Sequence, residues 1–311
     1  MNGKIVILGA GHVGSHVASA LAHGQVGNEI VLVDKVPGKA EAQAMDVADA
    51  LTWPASPVRV RSGTCADCSD ADVTVVAIGQ PRKPGQTRLD LLDDSVRMIS
   101  ELAGELRKTG VGGLMVSITN PCDIIADCLR KAMGFDRRKV FGTGTLLDTA
   151  RLRRVLSEQT DCPRDGIEAV VLGEHGDSSM IPFSAVRIAG RKPEDAPGFD
   201  PDEALRRTHG IGMDIINGKG STEFGIGQAT AHLIRTILTD AKAVLPLSVL
   251  LEGEYGLSGL HCGVPCVVGR DGIEKIVTLP LTGTEQQALE HSAGIITKHI
   301  RLADSIVASL E

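Results

Sequence analysis

The chain has 311 residues, of which 42% are hydrophobic and 23% are charged, as is ordinary for a globular protein. Its formal net charge is −7 without any basic block, which argues against a nucleic-acid partner, and no apolar run approaches the roughly 20 residues that span a membrane. Aromatic residues make up only 2%, so aliphatic side chains must fill the core, which favours a buried parallel sheet. The N-terminus carries no signal-peptide pattern, so we expect a cytoplasmic protein with reduced cysteines.

The first elements have the pattern of a dinucleotide-binding fold. An apolar strand, Lys4–Leu8, runs directly into a glycine-rich turn, and helix-forming residues follow. Gly9 permits the tight turn, Gly11 lets the backbone approach a pyrophosphate, and Gly14 lets the helix pack close to the strand. Free N–H groups at the helix start would face the phosphates. The predicted cofactor contacts in this turn are Gly9, Gly11, Val13 and Gly14.

The second strand, Glu29–Val33, ends in an acidic residue, Asp34. A carboxylate at this position can accept hydrogen bonds from both ribose hydroxyls of the adenosine, and it would repel a 2′-phosphate. The neighbouring cation of Lys35 weakens that repulsion slightly. We therefore predict that the cofactor is NAD and not NADP.

A further buried strand is predicted at residues 72–78 and ends at Gly79, which we expect beside the cofactor because ligands gather at the carboxyl ends of such strands. The loop that follows contains two prolines, a glycine and three cations, Arg82, Lys83 and Arg88. Loops that leave a ligand-facing strand end often act as lids. The alternative is a solvated basic loop.

The strand predicted at residues 113–119 ends at Asn120, where Pro121 forces an abrupt exit. We therefore place Thr119 and Asn120 at the same ligand-facing edge and predict that both contact the cofactor, with the Asn120 amide free to donate. Other strands are predicted at residues 58–61 and 139–142, and helices at residues 37–51, 89–109 and 122–133.

Residues 141–151 resemble the helix that carries an aspartate and a substrate-binding arginine in the L-lactate/L-malate dehydrogenase family. The two residues are Asp148 and Arg151, which lie on one helical face because they are three positions apart. An ordinary intrahelical ion pair is the alternative interpretation. The resemblance covers nearly the whole chain and includes the glycine turn and residues 117–121, 173–177 and 217–222.

The resemblance implies an α/β fold in which a doubly wound (Rossmann) parallel sheet, residues 1–145, precedes an α+β substrate domain, residues 146–311. Within the second part, an apolar run at residues 167–172 predicts a strand. Helices are predicted at residues 201–216 and 225–244, and strands around Val249, Leu251, Val264, Val267 and Val268. A capping box at Thr282 and Glu285 predicts the start of a final helix.

His175 follows the strand predicted at residues 167–172, in a turn made flexible by Gly173 and Gly176. Histidine exchanges protons near neutral pH and needs a partner to fix its tautomer, for which Asp148 is the candidate. On this stretch alone, a surface-turn histidine is an equal alternative.

The resemblance implies a role for each of these side chains in hydride transfer between a 2-hydroxy acid and the nicotinamide. His175 would exchange the hydroxyl proton, oriented by Asp148, and Arg151 would bind the C1 carboxylate with two parallel hydrogen bonds. Arg88 would polarise the C2 carbonyl as the lid closes. The remaining substrate contacts would come from Asn120, Thr222 and Arg82.

The choice of acid depends on Arg82. The lactate branch of the family commonly carries glutamine at the corresponding lid position, and the malate branch carries arginine. A second substrate carboxylate would pair with Arg82, so we predict (S)-malate/oxaloacetate. Residues 173–177, 219–222 and 89–91 are instead lactate-like. The chain therefore combines a lactate-type frame with a malate-type loop, and L-lactate/pyruvate or a broader range of L-2-hydroxycarboxylates remains an alternative.

A protein of another class, which binds a nucleotide without turnover, would not need Arg88, Asp148, Arg151 and His175 together. The family's self-association implies a homodimer or homotetramer. No metal site is predicted, because the cysteine pairs 65/68 and 262/266 lack a convincing second half.

Overall fold

The computed structural model of the protein describes residues 3–53, 55–79 and 88–310. Within this part of the chain, the first half alternates strands and helices. The strands are β1 (Lys4–Leu8), β2 (Glu29–Val33), β3 (Arg59–Ser62), β4 (Val73–Val76), β5 (Leu114–Ser117) and β6 (Val140–Gly142). The helices are α1 (His12–His23), α2 (Pro37–Asp49), α3 (Arg88–Thr109) and α4 (Cys122–Met133).

The second half begins with a helix, continues through two short strands and two helices, and ends in three longer strands and a final helix. Its helices are α5 (Leu146–Thr160), α6 (Pro201–Lys219), α7 (Phe224–Leu238) and α8 (Gly283–Ala308). Its strands are β7 (Ile167–Glu168), β8 (Arg187–Ile188), β9 (Ala243–Glu252), β10 (Ser258–Gly269) and β11 (Gly272–Ile276).

Nine of the described strands form a single sheet in the order β11-β10-β9-β6-β5-β4-β1-β2-β3. The six strands from the first half are parallel, with their order reversing between β1 and β4. This doubly wound arrangement confirms the predicted fold class, and ligands bind at such a reversal. The sheet also continues into the second half, because Gly142 of β6 pairs antiparallel with Ser248 of β9.

The core of the sheet is aliphatic, as the low aromatic content predicts. Strands β1, β2, β4 and β5 are buried along almost their whole length. Helices α3, α4 and α8 pack against one another, and α1 packs against α7. Strands that are covered on both faces need continuous apolar runs, which explains why these segments show no polar alternation.

The strand predicted at residues 167–172 is interrupted, since β7 ends at Glu168 and Leu172 forms only an isolated antiparallel bridge with Met180. The backbone of Val171 is instead bound by side chains of the neighbouring helix. Its N–H donates to Thr149 Oγ1 at 2.9 Å, and its carbonyl accepts from Thr145 Oγ1 at 2.6 Å. Two threonine hydroxyls therefore form the hydrogen bonds that a neighbouring strand would otherwise form. An apolar run in the sequence does not indicate which partner the backbone will have.

The helix predicted at residues 225–244 is also too long, because α7 ends at Leu238. Asp240 and Lys242 adopt φ values of 53°, in the left-handed region that a right-handed helix cannot accommodate. Strand β9 begins directly afterwards. The capping box of the final helix is confirmed, since Thr282 and Glu285 satisfy each other's backbone N–H groups. In the described part of the chain, no helix has both the length and the apolar character needed to cross a bilayer.

Candidate active site

The glycine turn between β1 and α1 leaves room for a phosphate group. Gly9 has φ +107°, and a Cβ there would lie 2.5 Å from Ala77 O. A Cβ on Gly14 would lie 1.9 Å from Gly9 O, so the helix and the turn are in direct backbone contact. At Gly11, by contrast, an added Cβ would meet only Lys39 Nζ, at 3.9 Å. The open space therefore lies over Gly11, at the start of α1, where a pyrophosphate can bind backbone N–H groups.

Asp34 is held in place at the end of β2. Its two carboxylate oxygens accept hydrogen bonds from the backbone N–H groups of Ala10 (2.9 Å) and Val36 (3.0 Å). The carboxylate borders a cleft of about 660 Å³ that Glu41 also lines. The two acidic side chains give this cleft a negative wall, which suits a ribose diol and opposes a 2′-phosphate. Lys39 Nζ lies 3.8 Å from the Asp34 carboxylate and partly offsets its charge. These residues therefore fit NAD.

The other predicted cofactor residues lie along the same edge of the sheet or beside the turn. Gly79 is exposed beyond β4, and Val13 is half-buried against the main core. Thr119 is buried, and its hydroxyl lies 2.6 Å from the carbonyl oxygen of Ile78, to which it donates. Asn120 is exposed at the end of β5. The structure thus turns Thr119 inward, where its hydroxyl binds the strand end beyond β4, and leaves Asn120 exposed.

His175 lies against the first turns of α5. Its Nδ1 is 2.6 Å from Asp148 Oδ2, and the other oxygen of Asp148 accepts from Arg151 Nη1 at 3.0 Å. The Asp148 and Arg151 side chains are 11% and 13% exposed, and that of His175 is 24% exposed. A single buried carboxylate therefore binds both the imidazole and the guanidinium, and it leaves the Nε2 edge of the imidazole for a ligand.

The charges at this site favour a protonated imidazole. The negative charge of Asp148 is the largest influence, and it raises the pKa of His175 to about 9, against the opposing effect of burial. Burial acts to raise the pKa of Asp148, but the charges of His175 and Arg151 outweigh it and lower that pKa below its ordinary value. The pair is thus an imidazolium–carboxylate ion pair at neutral pH, able to donate a proton from Nε2.

Arg151 and Thr222 line one cavity of about 260 Å³. Gly212 of α6 faces the guanidinium, and a Cβ there would lie 3.5 Å from Arg151 Nη1. Sequence analysis did not identify Gly212, because a glycine inside a helix gives no signal of what it faces. Arg82 lies outside the described residues, and Arg88 is described only as the first residue of α3.

Two further side chains that sequence analysis missed bind the backbone of the His175 turn. Asp123 Oδ2 accepts from the His175 N–H at 2.9 Å, and Ser292 Oγ accepts from the Glu174 N–H at 2.8 Å. The Glu174 carboxylate accepts from Ser178 Oγ in its own turn at 2.5 Å. Asp123 carried one sequence signal, its acidic side chain in the first turn of α4, which reads as favourable helix capping.

Two family models match the chain in sequence. The model of the lactate/malate dehydrogenase NAD-binding domain matches residues 3–142, and that of the lactate/malate dehydrogenase alpha/beta C-terminal domain matches residues 145–307. L-lactate dehydrogenase 1 of Lactobacillus acidophilus is 38% identical over 296 residues, which cover 93% of this chain and 91% of that protein.

Solved structures of two enzymes share the fold over almost their whole length. The minor L-lactate dehydrogenase of Enterococcus mundtii superimposes with a TM-score of 0.93 at 32% identity and covers 96% of this chain and 98% of its own. The malate dehydrogenase of Picrophilus torridus superimposes with a TM-score of 0.94 at 30% identity and covers 100% of both chains. The chain therefore belongs to the lactate/malate dehydrogenase family, and its cofactor is NAD.

Proposed function

We propose that this NAD-dependent dehydrogenase interconverts (S)-malate and oxaloacetate. The observation that supports this substrate is Arg82, which lies in the sequence between β4 and α3 at the position where the malate branch of the family carries arginine. In this proposal, residues 1–145 hold the cofactor, and residues 146–311 supply the side chains that bind and protonate the substrate.

His175 exchanges the substrate proton at Nε2. Because Nδ1 points at Asp148 and keeps its hydrogen there, the neutral imidazole presents a lone pair on Nε2. In the oxidation of malate, Nε2 accepts the C2 hydroxyl proton, and in the reverse direction the imidazolium returns it to the oxygen. Bound NAD supplies the acceptor for the C2 hydride. Asp148 stabilises the imidazolium as it forms.

Three more side chains orient the acid in this proposal. The guanidinium of Arg151 binds the C1 carboxylate with two parallel hydrogen bonds, beside the pocket wall of Thr222. Asn120 donates to the substrate from the end of β5. Arg88, which begins α3, polarises the C2 oxygen when the preceding loop closes, and closure excludes water from these charges.

Arg82 distinguishes the two acids by their C3 substituents. Oxaloacetate carries a second carboxylate that can pair with the guanidinium, whereas pyruvate carries a methyl group. In a closed site, pyruvate leaves the guanidinium without a partner, which costs about 1–3 kcal/mol, or about 10- to 100-fold in selectivity.

The second candidate is L-lactate/pyruvate. It is supported by the curated relatives, several of which are named L-lactate dehydrogenase at 36–38% identity, such as those of Lactobacillus acidophilus and Priestia megaterium. Comparison of kcat/KM for oxaloacetate and pyruvate with NADH decides between the candidates. A preference for pyruvate would overturn the role given to Arg82.

Arg82→Gln is expected to shift the ratio of kcat/KM for oxaloacetate to that for pyruvate toward pyruvate by about 10- to 100-fold, because glutamine removes the charge that pairs with the second carboxylate. Steady-state kinetics with both acids measures the ratio. Lys83→Gln removes the neighbouring positive charge and serves as the matched control, with a ratio close to that of the unaltered enzyme. Equal shifts in both variants would mean that general positive charge on the loop, and not Arg82, selects the acid.

The pH dependence of keto-acid reduction follows from His175. Reduction requires the imidazolium, so kcat/KM is expected to be level below the pKa of His175, which lies at about 9, and to fall tenfold per pH unit above it. Asp148→Asn removes the charge that raises this pKa, so the fall should begin at lower pH, nearer the ordinary histidine value of about 6.5. An unchanged profile in this variant would assign the alkaline limb to another group.

We also propose that the enzyme is a homodimer or homotetramer. Large apolar side chains on and around α2 support self-association, since Trp53 is 93% exposed, Met45 57% and Val36 53%. The mass of the protein in solution measures the assembly directly.

A further inference from the structure

The backbone at His175 is bound by buried side chains from two separate helices. The N–H groups of Glu174 and His175 are consecutive, yet one donates to Ser292 of α8 and the other to Asp123 of α4. Ser292 is fully buried and Asp123 is 1% exposed. Neither contact belongs to a regular strand or helix, and both add to the backbone bridges that Leu172 and Gly173 form directly before the turn.

Asp123 differs from Ser292 because it brings a carboxylate into the interior. Its Oδ2 atom accepts from the His175 N–H at 2.9 Å, and the Ser248 hydroxyl of β9 is the second polar group beside this carboxylate. A neutral acceptor such as a hydroxyl would suffice to bind one amide, as Ser292 does at the preceding residue. Burying a carboxylate is costly even when it has polar neighbours, which points to a use for its charge.

We propose that Asp123 is a positioning residue with two effects, fixing the backbone of His175 through Oδ2 and placing a second negative charge, beside that of Asp148, near the imidazole. The proposal rests on the proposed proton exchange at His175. Two carboxylates would then control the protonation of His175, Asp148 through its contact with Nδ1 and Asp123 through its contact with the backbone N–H. Asp123 also lies two residues after Pro121, so the same helix start that presents Asn120 holds the histidine turn.

The electrostatics of the site agree with this geometry. Burial raises the pKa of Asp123 to about 6, against the hydrogen bonds from Ser248 and the His175 N–H. Asp123 is therefore ionised above neutral pH, where it adds to the larger effect of Asp148 in raising the pKa of His175. The titratable groups that interact with Asp123 come from α4 itself, the His175 turn and β10, and they are Cys122, Glu174, His175 and Cys262.

The variant Asp123→Asn tests the charge separately from the contact, because the asparagine carbonyl can still accept from the His175 N–H. We expect the alkaline limb of kcat/KM for the keto acid to move to lower pH by about 1 pH unit. The rising limb for the hydroxy acid, which requires the neutral imidazole, should move by the same amount. Ser292→Ala is the matched control, since it removes the acceptor of the adjacent amide without changing any charge. It should lower kcat while both limbs stay in place.

A second readout avoids catalysis altogether. The chemical shift of the His175 imidazole can be followed by NMR during a pH titration of the protein without substrate, with its resonance identified by its loss in His175→Gln. In the unaltered protein it should show its main inflection near pH 9 and a smaller one near pH 6, as Asp123 ionises. Asp123→Asn should abolish the smaller inflection.

These results separate the possible failures. Unmoved limbs in Asp123→Asn, or a single inflection in the unaltered protein, would overturn the electrostatic role of Asp123, and the inflections are followed in the unaltered protein itself. If both inflections are present but His175→Gln retains full activity, the proposed catalytic role of His175 fails while the coupling to Asp123 stands.

Discussion

Replacing His175 with asparagine is expected to lower kcat for keto-acid reduction by about a hundred- to ten-thousand-fold. The asparagine side chain can still donate an N–H to Asp148, so this carboxylate keeps the hydrogen bond that it formed with Nδ1 of the histidine. It has no group that titrates near neutral pH, however, and the substrate oxygen loses its proton donor at Nε2. The rate then depends on proton transfer from water, while cofactor binding and carboxylate binding remain.

His291→Asn is the matched control for this change, because His291 is exposed on α8 and should leave kcat near that of the unaltered enzyme. Titration of NADH binding by fluorescence should give similar affinities for both variants, since the glycine turn and Asp34 belong to other elements. Turnover of His175→Asn within tenfold of the unaltered enzyme would remove His175 from the proton path.

The part of the fold that the sequence predicts best is the part dictated by local chemistry. Three local patterns predict the parallel sheet: the glycine turn, the continuous apolar runs and the acidic residue at the end of β2. The strand expected at residues 167–172 failed because Thr145 and Thr149 bind the backbone of Val171 from a helix. Contacts of that kind depend on how the helix packs against the segment, and the hydrophobic periodicity of the sequence does not indicate this packing.

The same limit applies to the candidate site. His175 and Asp148 are 27 residues apart, and nothing local in either segment indicates a contact of 2.6 Å; only the family resemblance suggested it. The family resemblance did not suggest a role for Asp123. An aspartate in the first turn of a helix is ordinary, and its contact with the His175 N–H spans 52 residues. Sequence patterns and the family resemblance therefore located the elements that carry the chemistry and the carboxylate of Asp148, whereas the contact of Asp123 became visible only in the packed structure.

The second large effect is expected at Arg151, where replacement by lysine should lower kcat/KM for the keto acid by about a hundred- to thousandfold. A guanidinium can form two parallel hydrogen bonds with a carboxylate, and a lysine ammonium cannot reproduce this planar geometry. Each charge-assisted hydrogen bond contributes about 1.5–3 kcal/mol, so the loss of one or two accounts for the expected change. Arg97→Lys is the matched control, since Arg97 of α3 forms an exposed ion pair with Asp93 and lies outside the cavity that Arg151 lines.

Arg151 also binds Asp148, so a purely structural role must be distinguished from substrate binding. Lysine keeps the positive charge that opposes protonation of His175, and the alkaline limb of the pH profile should therefore stay in place in Arg151→Lys. If Arg151 instead served mainly to hold Asp148 against the imidazole, the variant would move that limb and leave KM for the acid nearly unchanged. An increase in KM with a fixed limb assigns Arg151 to the substrate carboxylate, because only a ligand contact changes affinity without changing the protonation of the histidine.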